Sequence, residues 1–270
     1  MEICRLRTAS RPPSKKVEKV NGQTIVVWFS CGAASAVAAM KTKELYGECN
    51  TIRYVNNPLL EEDEDNQRFL RDVEKWLDIE IEHAINPKHS HCSIVKVFEK
   101  RKFMSGPMGA PCTIELKKNA RKHWEANNHF DYLVLGFTRD EIKRAERFKK
   151  GERANLINVL IDENISKQDC YYTIMNAGIK LPEVYEKGFP NANCIGCVKA
   201  TSPTYWNHVR KQYPEQFDER AKQSRQLGAK LVRVNNERIF LDELDPNAQG
   251  RPMKDVANFD CGLFCEEPAE

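Results

Sequence analysis

Over residues 24–178 short, unbroken apolar runs alternate with stretches whose apolar positions recur every third or fourth residue. The first run, Ile25-Val26-Val27-Trp28-Phe29, is β-branched and aromatic throughout, as expected for a strand buried on both faces of a parallel sheet. Further strands are predicted over residues 50–55, 79–85, 131–137 and 155–161. Between them lie predicted helices: an alanine-rich one after Ser35, one placing Phe69, Val73, Trp76 and Leu77 on a common face, and a basic one over residues 113–127. Ser166, with Asp169 at the third position, reads as the cap of a helix that ends near Gly178. The alternation specifies an α/β fold, a parallel twisted sheet with helices on both faces.

The pattern changes after residue 200. Helices are predicted over residues 203–212 and 215–227, with Gly228 as the stop, followed by a β-hairpin turning at Asn235-Asn236. Three parts result: a basic arm over 1–21, the α/β domain over 22–200, and a smaller helical and hairpin extension over 201–270 with a cysteine-containing tail. The acidic run Glu61-Glu62-Asp63-Glu64-Asp65 reads as a solvated helix start. Around His89 and His91 a helix cap by Ser90 is favoured over a metal role.

Between the first strand and its helix lies Ser30-Cys31-Gly32-Ala33-Ala34-Ser35. Small residues let a ligand approach the backbone, and the helix behind them presents free N–H groups and the positive end of its dipole. Such a turn is either a tight ligand-free connection or a site for phosphate or sulfate. It resembles the loop of the PP-loop superfamily, keeping both serines and the second glycine, with Ala34 where the ATP pyrophosphatases carry Asp. That resemblance implies a PP-loop (HUP-like) sheet and a bound adenine nucleotide.

The chain has 270 residues, 41% hydrophobic and 30% charged, and a net charge of +3, too slight to indicate nucleic-acid binding by itself. Lacking an apolar run of the ~20 residues a bilayer span needs and a secretory core near the start, it is expected in the cytoplasm, with no membrane partner. Ten cysteines in a reducing compartment are better read as packed thiols, metal ligands or nucleophiles than as disulfides. The sharpest spacing is Cys194-Ile195-Gly196-Cys197, in flanks that read as an exposed loop. It suits one metal, one face of a cluster or a redox dithiol. One pair does not complete a site; the further loop cysteines are Cys112, Cys261 and Cys265, whereas Cys4, Cys49, Cys92 and Cys170 read as packing residues and Cys31 as either.

The order SCGAAS, PCTIELKK, GFTRDE, LPEVYEKGFPNANCIGC and FDCGLF resembles the sulfonucleotide (phosphoadenylyl or adenylyl sulfate) reductase family. By that resemblance Ser30, Gly32, Ala33 and Ser35 would hold a phosphosulfate, with Lys117, Arg139 and Arg144 neutralising it. Cys112, Cys194 and Cys197 would ligate an iron–sulfur cluster, of the 4Fe-4S type, with zinc as the alternative. Either a tail cysteine such as Cys265 completes the set or one iron stays open, as in some nucleic-acid thiolating PP-loop enzymes. Cys261 stands at the position of the family's nucleophile, although Phe264 replaces its histidine.

Three functions follow. A reductase would use Cys261 to attack an adenylyl sulfate compound and release sulfite, drawing on a thioredoxin-like reductant. A sulfurtransferase would use ATP and the cluster to thiolate a nucleic-acid base. A non-catalytic nucleotide- or metal-binding module would keep only the scaffold.

Overall fold

The computed structural model describes residues 21–106, 109–151 and 155–253. The basic arm and the tail cysteines Cys261 and Cys265 lie outside the described residues.

Strand β1 (Thr24–Phe29) is buried from Ile25 onward and forms the middle of a five-stranded parallel sheet ordered β3-β2-β1-β4-β5. The chain runs from β1 through helix α1 (Ala33–Tyr46), β2 (Thr51–Asn56), α2 (Asp65–Leu77) and β3 (Ile81–His83). It then crosses by α3 (Ile94–Arg101), a π-helical stretch (Thr113–Lys118) and α4 (Asn119–Asn127) to β4 (Tyr132–Val134) on the other side of β1. Beyond β4 come α5 (Ile142–Gly151), β5 (Leu156–Ile157), α6 (Val159–Asp162) and α7 (Lys167–Asn176). Val27 is paired with both Tyr54 and Val134, so strand order reverses beside β1. Open α/β sheets take their ligands beside such a reversal, here at the carboxyl ends of β1 and β4.

Alternation along β1 divides the core. Ile25, Val27 and Phe29 pack with α1, α2 and α7, while Val26 and Trp28 face Trp124 and Phe148. Trp28 meets Trp124 edge to face with ring centroids 5.6 Å apart. Each fully buried large side chain contributes about 1.5–3 kcal/mol, so the strand is pinned from both sides.

Strands β3, β4 and β5 are shorter than the sequence predicts. After β4 the Phe137 N–H turns back to the Leu135 carbonyl, and after β5 Asn158 starts the short α6 by accepting the Asp162 N–H. The Ser166 cap and its reciprocal bond from Asp169 are present. So is the hairpin of β6 (Val232–Val234) and β7 (Glu237–Ile239), with Asn235 and Asn236 both at positive φ.

Two local expectations fail. The cap of α3 is Ser93, whose hydroxyl accepts the Lys96 N–H; Ser90 only ends the preceding 3-10 turn. The acidic run does open helix α2, but only Glu64 is solvated as expected. The Glu61 carboxylate accepts from the Ser93 hydroxyl and the Ile94 N–H, Asp63 is buried against the Tyr213 hydroxyl and Lys187, and Asp65 grips Arg68. Asp65 also accepts the Glu183 N–H. Apart from Arg68 these partners are distant in sequence and invisible in the local pattern; they turn the run into a junction.

That junction borders a second core. Short helix α8 (Glu183–Glu186), the Cys194–Cys197 turn, helices α9 (Pro203–Gln212) and α10 (Pro214–Gln226) and the hairpin pack around Trp206, Phe98 and Met104. Both α9 and α10 start on proline, whose fixed φ suits the first helical position. Among the described residues no helix is long and apolar enough to cross a membrane.

Candidate nucleotide loop and thiol shelf

The turn after β1 is organised by Ser35. Its hydroxyl donates to the Gly32 carbonyl at 2.8 Å and accepts from the Ser30 N–H at 3.1 Å, with the Ser30 hydroxyl 3.3 Å away. Cys31 takes a left-handed φ of 55°, and Asn56 holds it by donating to the Phe29 carbonyl at 2.8 Å and toward the Cys31 sulfur at 3.6 Å. Gly32 begins α1 without a side-chain cap. The Ala33 N–H at that helix start donates to the Tyr185 hydroxyl at 3.2 Å. Tyr185 therefore stands where the dipole and N–H groups of α1 would receive an anion.

Gly136 closes the other wall. A Cβ there would lie 2.8 Å from the Ser35 nitrogen and 3.0 Å from the Ala34 carbonyl carbon, so only glycine lets the end of β4 reach the turn.

Lys117 is buried beside this loop, 4.0 Å from the Glu62 carboxylate. Both charges act on Cys31, whose thiol is pushed well up first by burial, then by Glu62, against an opposing pull from Lys117. Cys31 is thus a protonated, inert thiol at neutral pH.

The other two predicted cations sit apart from it. Arg139 is largely exposed near Asp140, and Arg144 pairs with Glu141 at 2.7 Å while stacking over Phe137. Both follow β4, and both already face carboxylates.

Cys112 leads directly into the π-helical stretch that carries Lys117. Cys194 and Cys197 are buried, so the turn between them is not the exposed loop its flanks suggested; α9 and α10 cover it. Gly196 adopts φ +66°, the Ile195 N–H donates to the Glu61 carbonyl at 2.8 Å, and the Cys197 N–H donates to the Tyr205 hydroxyl at 2.9 Å. Cys112 packs against the same core. All three are unbridged, and all three lie within electrostatic reach of one buried guanidinium, Arg220. Of the remaining cysteines Cys170 is buried, Cys92 half-buried and Cys49 exposed, so packing does not account for Cys49.

Soft thiols around a single buried cation make a donor set suited to zinc or an iron–sulfur centre. Among the described residues no three His, Cys, Asp or Glu side chains close on a point that would hold one metal ion. Thiolates that each hold a different corner of a cluster stand farther apart than ligands of one ion. The catalytic and fourth-ligand candidates, Cys261 and Cys265, lie outside the described residues.

Sequence reasoning missed Tyr185, Gly136, Glu62 and Arg220 as site residues. Tyr185 and Gly136 fall inside motifs that were singled out. Arg220 carries no local signal, since α10 is polar or charged at most positions. Cavities of about 350 and 480 Å³ open elsewhere, the first by Ser105 and Arg238, the second by His129 and Asn155.

No protein-family profile matches the chain, and no curated protein matches it either. Among solved structures it is similar to the U34-tRNA thiolase NcsA from Methanococcus maripaludis, determined with its 4Fe-4S cluster. The superposition covers 92% of this chain and 84% of that one at 12% identity, with a TM-score of 0.46.

Proposed function

We propose that this chain is a PP-loop enzyme that uses ATP and an iron–sulfur centre to place sulfur on a nucleic-acid base. The observation that carries the reading is a shared wall. Cys112, Cys194 and Cys197 gather about Arg220, and the same segments reach the nucleotide loop through Tyr185, Glu62 and Lys117.

In this reading Ser30, Gly32, Ala33 and Ser35 take the phosphates, helped by the α1 dipole, and Lys117 offsets their charge. A base carbonyl oxygen attacks the α-phosphorus of ATP, releasing pyrophosphate and making the oxygen a good leaving group. Sulfide then displaces AMP, and carbonyl becomes thiocarbonyl. A cluster held by three thiolates would supply the sulfide, and the buried shelf excludes water that would otherwise hydrolyse the adenylate. Arg139 and Arg144 follow β4, next to the exposed Lys143, Arg147, Lys149 and Lys150 of α5, a basic surface suited to a nucleic-acid backbone.

The sulfonucleotide reductase reading uses the same loop and thiols but depends on Cys261 as attacking thiolate and a thioredoxin-like reductant. Product analysis separates the two. The full chain, purified without oxygen, is expected to form AMP and pyrophosphate from ATP only when RNA and a sulfide source are present. Its RNA binding should weaken steeply with salt. Sulfite released from an adenylyl sulfate compound, with no ATP turnover, would overturn the proposal in favour of the reductase.

A further inference from the structure

Helix α10 exposes Glu215, Gln216, Asp218, Glu219, Lys222 and Arg225, yet Arg220 is only 5% exposed. A guanidinium withdrawn from water costs several kcal/mol unless an anion and hydrogen bonds answer it. Here the partners fall short. One terminal nitrogen of Arg220 donates to the Gln223 side chain and the cation lies 5.5 Å from the Phe98 ring centroid, while the buried Nε has no hydrogen-bond partner. The nearby carboxylate, Glu61, is committed to capping α3 through Ser93 and Ile94. Burial holds the guanidinium below its ordinary pKa, and Glu61, Cys194, Cys112 and Cys197, in that order, pull it back up.

The unpartnered Nε lies against the thiol turn. A Cβ on Gly196, between Cys194 and Cys197, would stand 3.8 Å from it and 3.4 Å from the Trp206 ring, so the guanidinium and the turn are already in close register. Three thiolates around a doubly positive cluster core leave one net negative charge, which a single guanidinium neutralises.

We infer that Arg220 is the built-in counter-cation of an iron–sulfur cluster held by Cys112, Cys194 and Cys197, its free Nε–H available to a cysteine ligand's sulfur. The inference rests on the proposed reading that these thiols hold such a centre. It assigns Arg220 a positioning and charge-balancing role that raises the centre's reduction potential, because a nearby positive charge favours the reduced, more negative form. Gln223 steadies the guanidinium: its amide nitrogen donates to the Val95 carbonyl at 3.0 Å while its oxygen accepts from Arg220.

The test compares the full chain with Arg220→Gln and Arg220→Lys, each reconstituted anaerobically with iron and sulfide. Circular dichroism checks the fold, and the readouts are bound iron, sulfide and zinc, resistance to a chelator, and the midpoint potential. Arg220→Gln is expected to lose its centre to the chelator at least tenfold faster and to shift midpoint downward by about 59 mV, a tenfold change in a one-electron equilibrium. Arg220→Lys should recover most of both. A folded Arg220→Gln protein with wild-type retention and potential would overturn the inference, as would a folded Arg220→Lys protein as deficient as Arg220→Gln. Should Arg220→Gln fail to fold, Arg220→Lys decides alone: a centre within tenfold of wild type supports the role, and loss of the centre from folded protein overturns it. A wild-type chain that binds no iron and sulfide, with or without zinc, defeats the cluster reading itself. A loaded wild type with indifferent Arg220 variants defeats only the role of Arg220.

Discussion

The loop after β1 and the thiol shelf are built on opposite plans. The loop hangs between a central strand buried from Ile25 onward and an alanine-rich helix largely buried over its first two turns, and its own short-range bonds through Ser35 define it. The shelf is assembled from turns, a π-helical stretch and capping helices, held by contacts that cross the chain, such as Ile195 to Glu61 and Tyr213 to Asp63. A site that must accept one charged ligand by its backbone can be encoded locally. A site that gathers soft ligands from distant segments cannot.

Separate disruption of the two regions tests that contrast most sharply. Cys194→Ala is expected to abolish bound iron, sulfide and visible colour while leaving ATP affinity within a few-fold, by elemental analysis and calorimetry. Ser35→Ala should do the reverse, keeping colour and losing nucleotide affinity, since it removes the hydroxyl that ties Ser30 to Gly32. Loss of both properties in either variant would mean that the regions fold as one.

The contact between β4 and the loop comes next. Gly136→Ala places a methyl against backbone atoms that have little room to retreat, and overpacking of this kind costs about 1–3 kcal/mol. Urea unfolding should show it as a lower midpoint at unchanged slope. An unaffected midpoint would mean that the close approach is not enforced.

Tyr185→Phe is a milder change. It removes the hydroxyl that now accepts the Ala33 N–H and so frees the helix start for phosphate. With a hydrogen bond worth about 0.5–1.5 kcal/mol, ATP affinity should rise by roughly twofold to tenfold. Weaker binding in Tyr185→Phe would show instead that the phenol contacts the nucleotide.

The smallest effect concerns acid. His89 is buried beside His91, with Glu115 3.5 Å from its ring; burial holds its pKa below the ordinary 6.5, and Lys100 and Arg101 add to the effect. The unfolded chain then takes up a proton first as pH falls past 6.5, so this contribution is full above that value and is lost on acidification toward the folded pKa. His89→Gln should flatten the stability profile below about pH 6.5. An unchanged slope would remove His89 from the acid response.

Those two plans also explain what the sequence revealed. The strand–turn–helix at residues 24–46, the Ser166 capping box and the Asn235-Asn236 hairpin depend on neighbours within a few positions, and each is present as expected. The spacing of Cys194 and Cys197 was equally visible, but not their burial, because the cover comes from α9 and α10. The acidic run misled for the same reason. Glu61, Asp63 and Asp65 find partners as distant as Ser93, Tyr213 and the Glu183 N–H, and a local pattern of charges resembles a solvated face whether or not such partners exist. Arg220 is the extreme case, one cation in a helix full of charge, distinguished only by what folds over it.

The most direct measurement is iron and acid-labile sulfide per chain after anaerobic reconstitution, in wild type and in Cys112→Ala. Of the proposed ligands Cys112 lies farthest in sequence from the Cys194–Cys197 turn, so it tests whether the segments truly converge. The account predicts a loaded, coloured wild type and a colourless Cys112→Ala protein of unchanged fold. A Cys112→Ala protein that carries as much iron and sulfide as wild type would contradict it.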